Sequence, residues 1–249
     1  MTRAKAASTH LLISATLASI VICLIVFGWY PRPFFTPLGG PMLLVLIIGI
    51  DVVLGPLMTL ILFNPTKSRR ALTVDLSLIA IVQATALGYG LYSGYVGRMV
   101  FGVFDGQVFQ VAQASEIAPK MLLQAKPAEL RHLPFVGHKM IAAIVPDTEQ
   151  AKSDANFFKA VGVGPQFLPE FYLTLPEVRT QLQAAALDKA QLQARHPALA
   201  AEVDALLKTH HLNWQHIAVV PFEVKTATYT AVVDVASGSM LRVLPEDPR

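Results

Sequence analysis

The sequence predicts a membrane protein in which three transmembrane α-helices precede an exported α+β domain with an antiparallel sheet. Composition is the first observation: of 249 residues, 53% are hydrophobic and 15% charged, with a mean hydropathy of +0.50, which excludes a purely soluble or disordered chain. The second is asymmetry, since residues 1–94 hold six Lys and Arg against two acids and residues 95–249 hold fourteen against fifteen. The third is repetition: apolar runs of about 20 residues, the length that crosses a ~30 Å hydrocarbon layer, recur at about 10–29, 41–63 and 72–92. The expected organisation is a three-helix unit over 1–94 and an α+β domain over 95–249.

The first span, His10 to Trp29, contains no charged side chain. Phe27-Gly28-Trp29-Tyr30-Pro31 offers no small-x-small cleavage site, so the run reads as an uncleaved anchor rather than a signal peptide. A loop punctuated by Pro31, Pro33 and Pro37 leads to the second span, which is interrupted by Asp51 and by Gly55-Pro56, where a kink is expected. Asn64 to Arg70 forms a short turn. The third span runs from Leu72 to Tyr92, with Asp75 near its start and Gln83 halfway along.

Positive charge sets the orientation, because Lys and Arg near a span are retained on the cytoplasmic side. Arg3 and Lys5 flank one end and Lys67, Arg69 and Arg70 fill the second loop, against Arg32 and Arg98 on the other side. The N-terminus is expected inside and the large C-terminal part outside. Trp29, Tyr30, Tyr92 and Tyr95 then gather at the outer interface, where amphipathic rings are stable.

In the exported part, Val100–Phe104 and Gln107–Val111 flank Asp105-Gly106, a two-residue hairpin signal. Lys139–Val145 reads as a strand, and Asp147 to Gln150 has the capping-box spacing that opens a helix running to about Val161. Pro176–His211 suggests two helices broken at Pro197. Ile217–Lys225, Thr228–Val235 and Ser239–Leu244 read as an antiparallel meander joined by a Thr-Ala connection and a Ser-Gly turn. Ser93–Arg98 reads as the join to the membrane unit.

Candidate chemistry concentrates in the spans. Asp51 and Gln83 each lie about ten residues from the outer end of their span, near ~15 Å depth at 1.5 Å rise per residue, so they can meet. No Lys or Arg occurs inside a span to pair with Asp51, which must therefore be protonated or hydrogen-bonded, either to Gln83 or to a group on another helix. Ala80-Ala84-Gly88 and Ala86-Gly90-Gly94 are small-residue stripes that let a helix approach closely, from this chain or from a partner. His210, His211 and His216 lack metal-ligand spacing and read as a solvated helix end. The single cysteine, Cys23, allows neither an intramolecular disulfide nor a Cys-based zinc site. No catalytic motif, metal site, phosphate loop or dinucleotide fingerprint is visible, and no basic patch points to nucleic acid.

Asp51 to Leu60 with Gly55-Pro56, then Lys67, Asp75 to Ala80, Gln83 and Tyr89-Gly90, together with Trp29-Tyr30-Pro31, resembles the TfpX/TfpZ family of type IV pilin accessory proteins. The match is specific over residues 10–95 and looser beyond, where Pro169-Glu170-Phe171-Tyr172 and the terminal strands correspond in layout. The resemblance implies a multi-pass protein of the bacterial inner membrane with a periplasmic C-terminal domain, needing no cofactor and catalysing nothing. It further implies a chaperone-like accessory that modulates the handling of a major type IV pilin during pilus assembly, with the bilayer as its other partner. Gly55, Pro56, Asp75 and Tyr89 belong to the motif, while Asp51, Gln83, Ala80, Ala84, Gly88 and Gly90 are the expected partner-binding residues. The alternative is a membrane-anchored enzyme that modifies pilin in the periplasm.

Overall fold

The computed structural model describes residues 2–225 and 227–249, so Thr226 of the expected Thr-Ala connection lies outside the described residues. The chain divides into two compact units, one made of residues 1–31 and 38–98 and the other of 32–37 and 99–249.

The first unit is helical. Three helices, Arg3–Trp29, Gly40–Leu62 and Arg69–Gly97, are long and apolar enough to cross a membrane. The first and third begin before the expected spans, because polar caps can sit beyond the apolar run: Thr2 accepts from the Lys5 amide and Ser68 from the Ala71 amide; the second is offset from its expected span by one residue. The first two helices are not α-helical throughout. Helix α1 (Arg3–Cys23) continues as π turns over Leu24–Trp29. The second span is α2 (Gly40–Ile47), π turns over Ile48–Leu54, then α3 (Gly55–Leu62). The irregularity expected at Pro56 thus falls in the turns before it, where a residue without N–H breaks the regular ladder. Helix α4 (Arg69–Gly97) is the third span. Outward-facing side chains of the unit include Leu12, Phe27, Met42, Val74 and Ile81, all strongly exposed.

The second unit is a seven-stranded sheet of order β4-β3-β1-β2-β5-β6-β7 with flanking helices. Strands β1 (Met99–Phe104) and β2 (Phe109–Gln113) form a hairpin where one was expected, but Phe104 pairs with Phe109, so β2 starts two residues later than expected and the connection is Asp105–Val108 rather than Asp105-Gly106 alone; β5 (Ile217–Val224), β6 (Ala227–Asp234) and β7 (Met240–Leu244) form the expected meander. The sheet is mixed, not antiparallel: β3 (Lys139–Ala143) runs parallel to β1, and β5 runs parallel to β2. Short turns enforce antiparallel neighbours, whereas long connections leave direction free. Both parallel pairs are joined by long connections. Strand β4 (Tyr172–Thr174), a three-residue edge beside β3, had no sequence signal.

Helix α5 (Pro119–Leu122) is a single turn; α6 (Glu149–Ala160) is capped by Thr148, whose hydroxyl accepts from the Ala151 amide. Three helices rather than two fill the 176–211 region, α7 (Arg179–Ala185), α8 (Lys189–Arg195) and α9 (Pro197–His210), and His211 closes α9 at a left-handed φ of 55°. One apolar core gathers Phe101, Val103, Ile141 and Tyr172; another packs Leu192, Leu199 and Val203 of α8 and α9 on Ile217, Val219 and Val232. Residues 32–37 belong to this unit too. Phe34, from the loop between the first two spans, is 1% exposed and lies against Phe222 and Tyr229, ring centroids 4.6 and 5.3 Å away.

Candidate functional site

All three long helices supply polar side chains to one cluster: His10 and Ser14 from the first, Asp51 and Thr59 from the second, Gln83 from the third. His10 and Ser14 stand four residues apart, on one face of α1. Gly55 makes room for the Gln83 amide, since a Cβ there would come within 2.0 Å of Gln83 Nε2. Gln83 is thereby held against the second helix. Its Nε2 donates to the Asp51 backbone carbonyl at 3.0 Å and lies 3.4 Å from Ser14 Oγ, while its Oε1 is 2.7 Å from His10 Nε2. On the other side of the ring, His10 Nδ1 is 2.5 Å from Thr59 Oγ1, whose hydroxyl donates to the Gly55 carbonyl at 3.1 Å. Ser14, Asp51 and Thr59 are all buried.

Asp51 and Gln83 meet as their depths suggested, but through the aspartate's backbone. The carboxyl group is left aside: Asp51 is 5% exposed, and its Oδ2 has no hydrogen-bond partner among the described residues. Buried polar atoms are nearly always paired, so an unpaired carboxylate oxygen marks a place that accepts a donor.

The two small-residue stripes of α4 have different fates. On the Ala86-Gly90-Gly94 stripe, a Cβ added at Gly90 would approach Ile47 to 3.2 Å and one at Gly94 would approach Trp29 to 3.2 Å, so this stripe is filled by the unit's own helices. Ala80, Ala84 and Gly88 are exposed, and a Cβ at Gly88 would meet nothing within 4 Å. Tyr89 is 64% exposed and borders an apolar groove of about 420 Å³ between the second and third helices, with Leu46, Ile50 and Ile81. Asp75 accepts from Lys67 Nζ at 2.5 Å, and the same ammonium donates to the Leu62 carbonyl, closing the turn between these helices. Pro56 is buried beside Gly55.

His10, Ser14 and Thr59 escaped the sequence reading. Span one contains no charged side chain, so its polar groups give a weaker signal than Asp51 does. The available signal was the presence of uncharged polar groups on every span, each needing a partner in an apolar medium.

In the sheet unit, a cleft of about 830 Å³ lies between the β1–β2 turn and α6. Several of its polar groups bond locally. Asp105 accepts from the Gln107 and Val108 amides and from Gln110 Nε2, and Lys152 pairs with Asp147 at 2.5 Å. Among the described residues, no group of three or more His, Cys, Asp and Glu side chains is gathered to hold a metal ion.

Over 224 residues, 88% of this chain and 85% of the relative, the sequence is 33% identical to the fimbrial assembly protein, serogroup I, of Dichelobacter nodosus. The chain belongs to the fimbrial assembly protein family. Two further family members from the same organism, those of serogroup E1 and of serogroups C1 and C2, are each 40% identical. The first match covers 56% of this chain and 54% of the relative, the second 49% and 93%. The family description "Fimbrial assembly protein FimB" matches residues 1–39, the segment that carries His10 and Ser14. No solved structure matches the chain.

Proposed function

We propose that this fimbrial assembly protein is a non-enzymatic accessory of type IV pilus assembly in the bacterial inner membrane, of the TfpX/TfpZ kind, with its N-terminus cytoplasmic and its sheet unit periplasmic. Its helices shelter or position the apolar stem of the major pilin, and the sheet unit touches the pilin head. The observation that carries this reading is the match, along nearly the whole chain, to a protein named for fimbrial assembly. The helical unit adds support. It leaves one small-residue stripe uncovered and one buried carboxylate oxygen unpaired, the two features a visiting helix uses in lipid, close approach and a polar bond.

Photo-crosslinking inside the membrane tests the reading. A crosslinker at Ala84 should capture the major pilin, and one at Phe27, on span one, should not. Only self-adducts at Ala80, Ala84 and Gly88 would overturn it. Asp51→Leu should insert normally yet recover less pilin on co-purification; unchanged recovery would remove Asp51 from the contact.

A further inference from the structure

Strongly exposed apolar side chains of the sheet unit gather in one segment. Leu123, Phe135 and Val136, all within residues 119–139, are 65%, 62% and 54% exposed. The segment is fixed in place. Leu122, Ala125 and Leu130 are buried in the core beside the sheet, Arg131 Nε donates to the Ala125 carbonyl at 2.9 Å, and Lys139 Nζ donates to the Glu129 carbonyl at 2.7 Å. Gly137, at a φ of +75°, turns the chain just after Phe135 and Val136. The same segment is basic. It holds Lys120, Lys126, Arg131 and Lys139 against Glu129, whereas the rest of residues 95–249 holds ten Lys and Arg against fourteen acids. All four cations are exposed, and among the described residues none of them is ion-paired.

Sheet register adds a second observation. Strand β1 begins at Met99, two residues after the end of the spanning helix α4 at Gly97. Strand β3 runs parallel to β1 with Lys139 opposite Phe101, about 7 Å along it at ~3.3 Å per residue. The segment therefore enters β3 at the end of the sheet that the chain reaches first on leaving α4. We propose that residues 119–139 are a lipid-docking surface of the sheet unit: Lys120, Lys126, Arg131 and Lys139 bind anionic phospholipid headgroups, and Phe135 and Val136 sink among the acyl chains. Lysine is depleted at protein–protein contacts, while lysine and arginine beside aromatic and aliphatic side chains make up surfaces that bind anionic bilayers. The short covalent link to α4 keeps the local concentration of lipid high, so weak contacts suffice. The proposal rests on the placement of the helices in a bilayer and is independent of pilin.

Spin labels on the full chain in nanodiscs of phosphatidylglycerol or of phosphatidylcholine test this. With Cys23→Ala as background, a nitroxide is placed through Val136→Cys, Phe157→Cys or Phe27→Cys. Phe157 is the control, an exposed ring on α6 with Asp154 one turn before it. Collisions with oxygen, which concentrates in lipid, are compared with collisions with a water-soluble nickel chelate. In phosphatidylglycerol the oxygen-to-nickel ratio at Val136 should exceed that at Phe157 several-fold. It should fall towards the Phe157 value in phosphatidylcholine, and also in the double variant Lys120→Glu, Lys126→Glu. Equal ratios at Val136 and Phe157 in phosphatidylglycerol, or the same ratio at Val136 in both lipids, would overturn the proposal. So would shielding of Val136 from both reagents, the sign of a covering protein. The label at Phe27, on span one, should meet lipid in both nanodiscs. Water contact there would overturn the bilayer placement of the helices as well, whereas lipid contact at Phe27 with water contact at Val136 sinks this proposal alone.

Discussion

The two units are built inside out with respect to one another. In the helical unit Ser14, Asp51 and Thr59 are buried while Leu12, Phe27 and Met42 face outward; in the sheet unit Phe101, Phe104, Phe109 and Phe222 are fully buried. The lesson concerns the medium. Water rewards the burial of apolar area, whereas lipid offers no such drive and leaves packing and polar bonds to hold helices together. Buried polar side chains beside exposed apolar ones thus mark the helical unit, and fully buried aromatic rings the sheet unit.

The sharpest test of that contrast substitutes one phenylalanine in each unit. Phe222→Ala should cost about 3–5 kcal/mol, because Phe222 is fully buried and touches Phe34 and Phe109. Phe27→Ala, at a side chain 77% exposed, should stay within about 0.5 kcal/mol. Denaturant unfolding in nanodiscs measures both; equal costs would dissolve the distinction.

Within the helical unit, Gly94→Leu should destabilise by about 1–3 kcal/mol, since Trp29 and Ile25 already fill the space beside it. Gly88→Leu should be neutral. Thermal unfolding of the two variants separates the filled stripe from the open one.

In the sheet unit, Asp204 accepts from Trp214 Nε1 at 2.6 Å and from Lys189 Nζ at 2.9 Å, bonds that hold its carboxyl below the ordinary aspartate value, the Trp214 bond most of all. Such a group adds stability above its unfolded pKa of about 3.9, and the contribution is lost as pH falls through the lower folded value. Trp214→Phe should cost about 1 kcal/mol at neutral pH. It should also weaken the pH dependence of unfolding below about pH 4. An unchanged acid limb would show that the tryptophan bond does not hold the carboxylate.

A small effect is expected at the turn joining spans two and three. Lys67 and Asp75 are partly exposed, and Lys67→Ala should cost under about 1 kcal/mol.

Periodicity and turn chemistry made the local structure legible: the three apolar runs and the final meander lie where short-range rules place them, and the hairpin at Asp105-Gly106 forms with its second strand two residues later. Strand direction across long connections was not legible, because nothing near β3 or β5 in sequence records which neighbour it will find. Asp51 and Gln83 could be matched by depth, yet depth does not say whether an amide meets a carboxyl or a carbonyl. That choice depends on Gly55, whose missing Cβ admits the Gln83 side chain, and on His10, which draws the amide oxygen away.

Phe34 has a practical consequence for anyone who trims this protein. A fragment starting at Met99 would keep every strand of the sheet yet lose the ring seated on Phe222 and Tyr229, leaving an open aromatic socket. Ribosome order adds to this, for the plug is made long before its socket and must wait until the last strands emerge. A soluble version should carry residues 32–37 grafted back, or it will expose a sticky surface that the intact chain never shows.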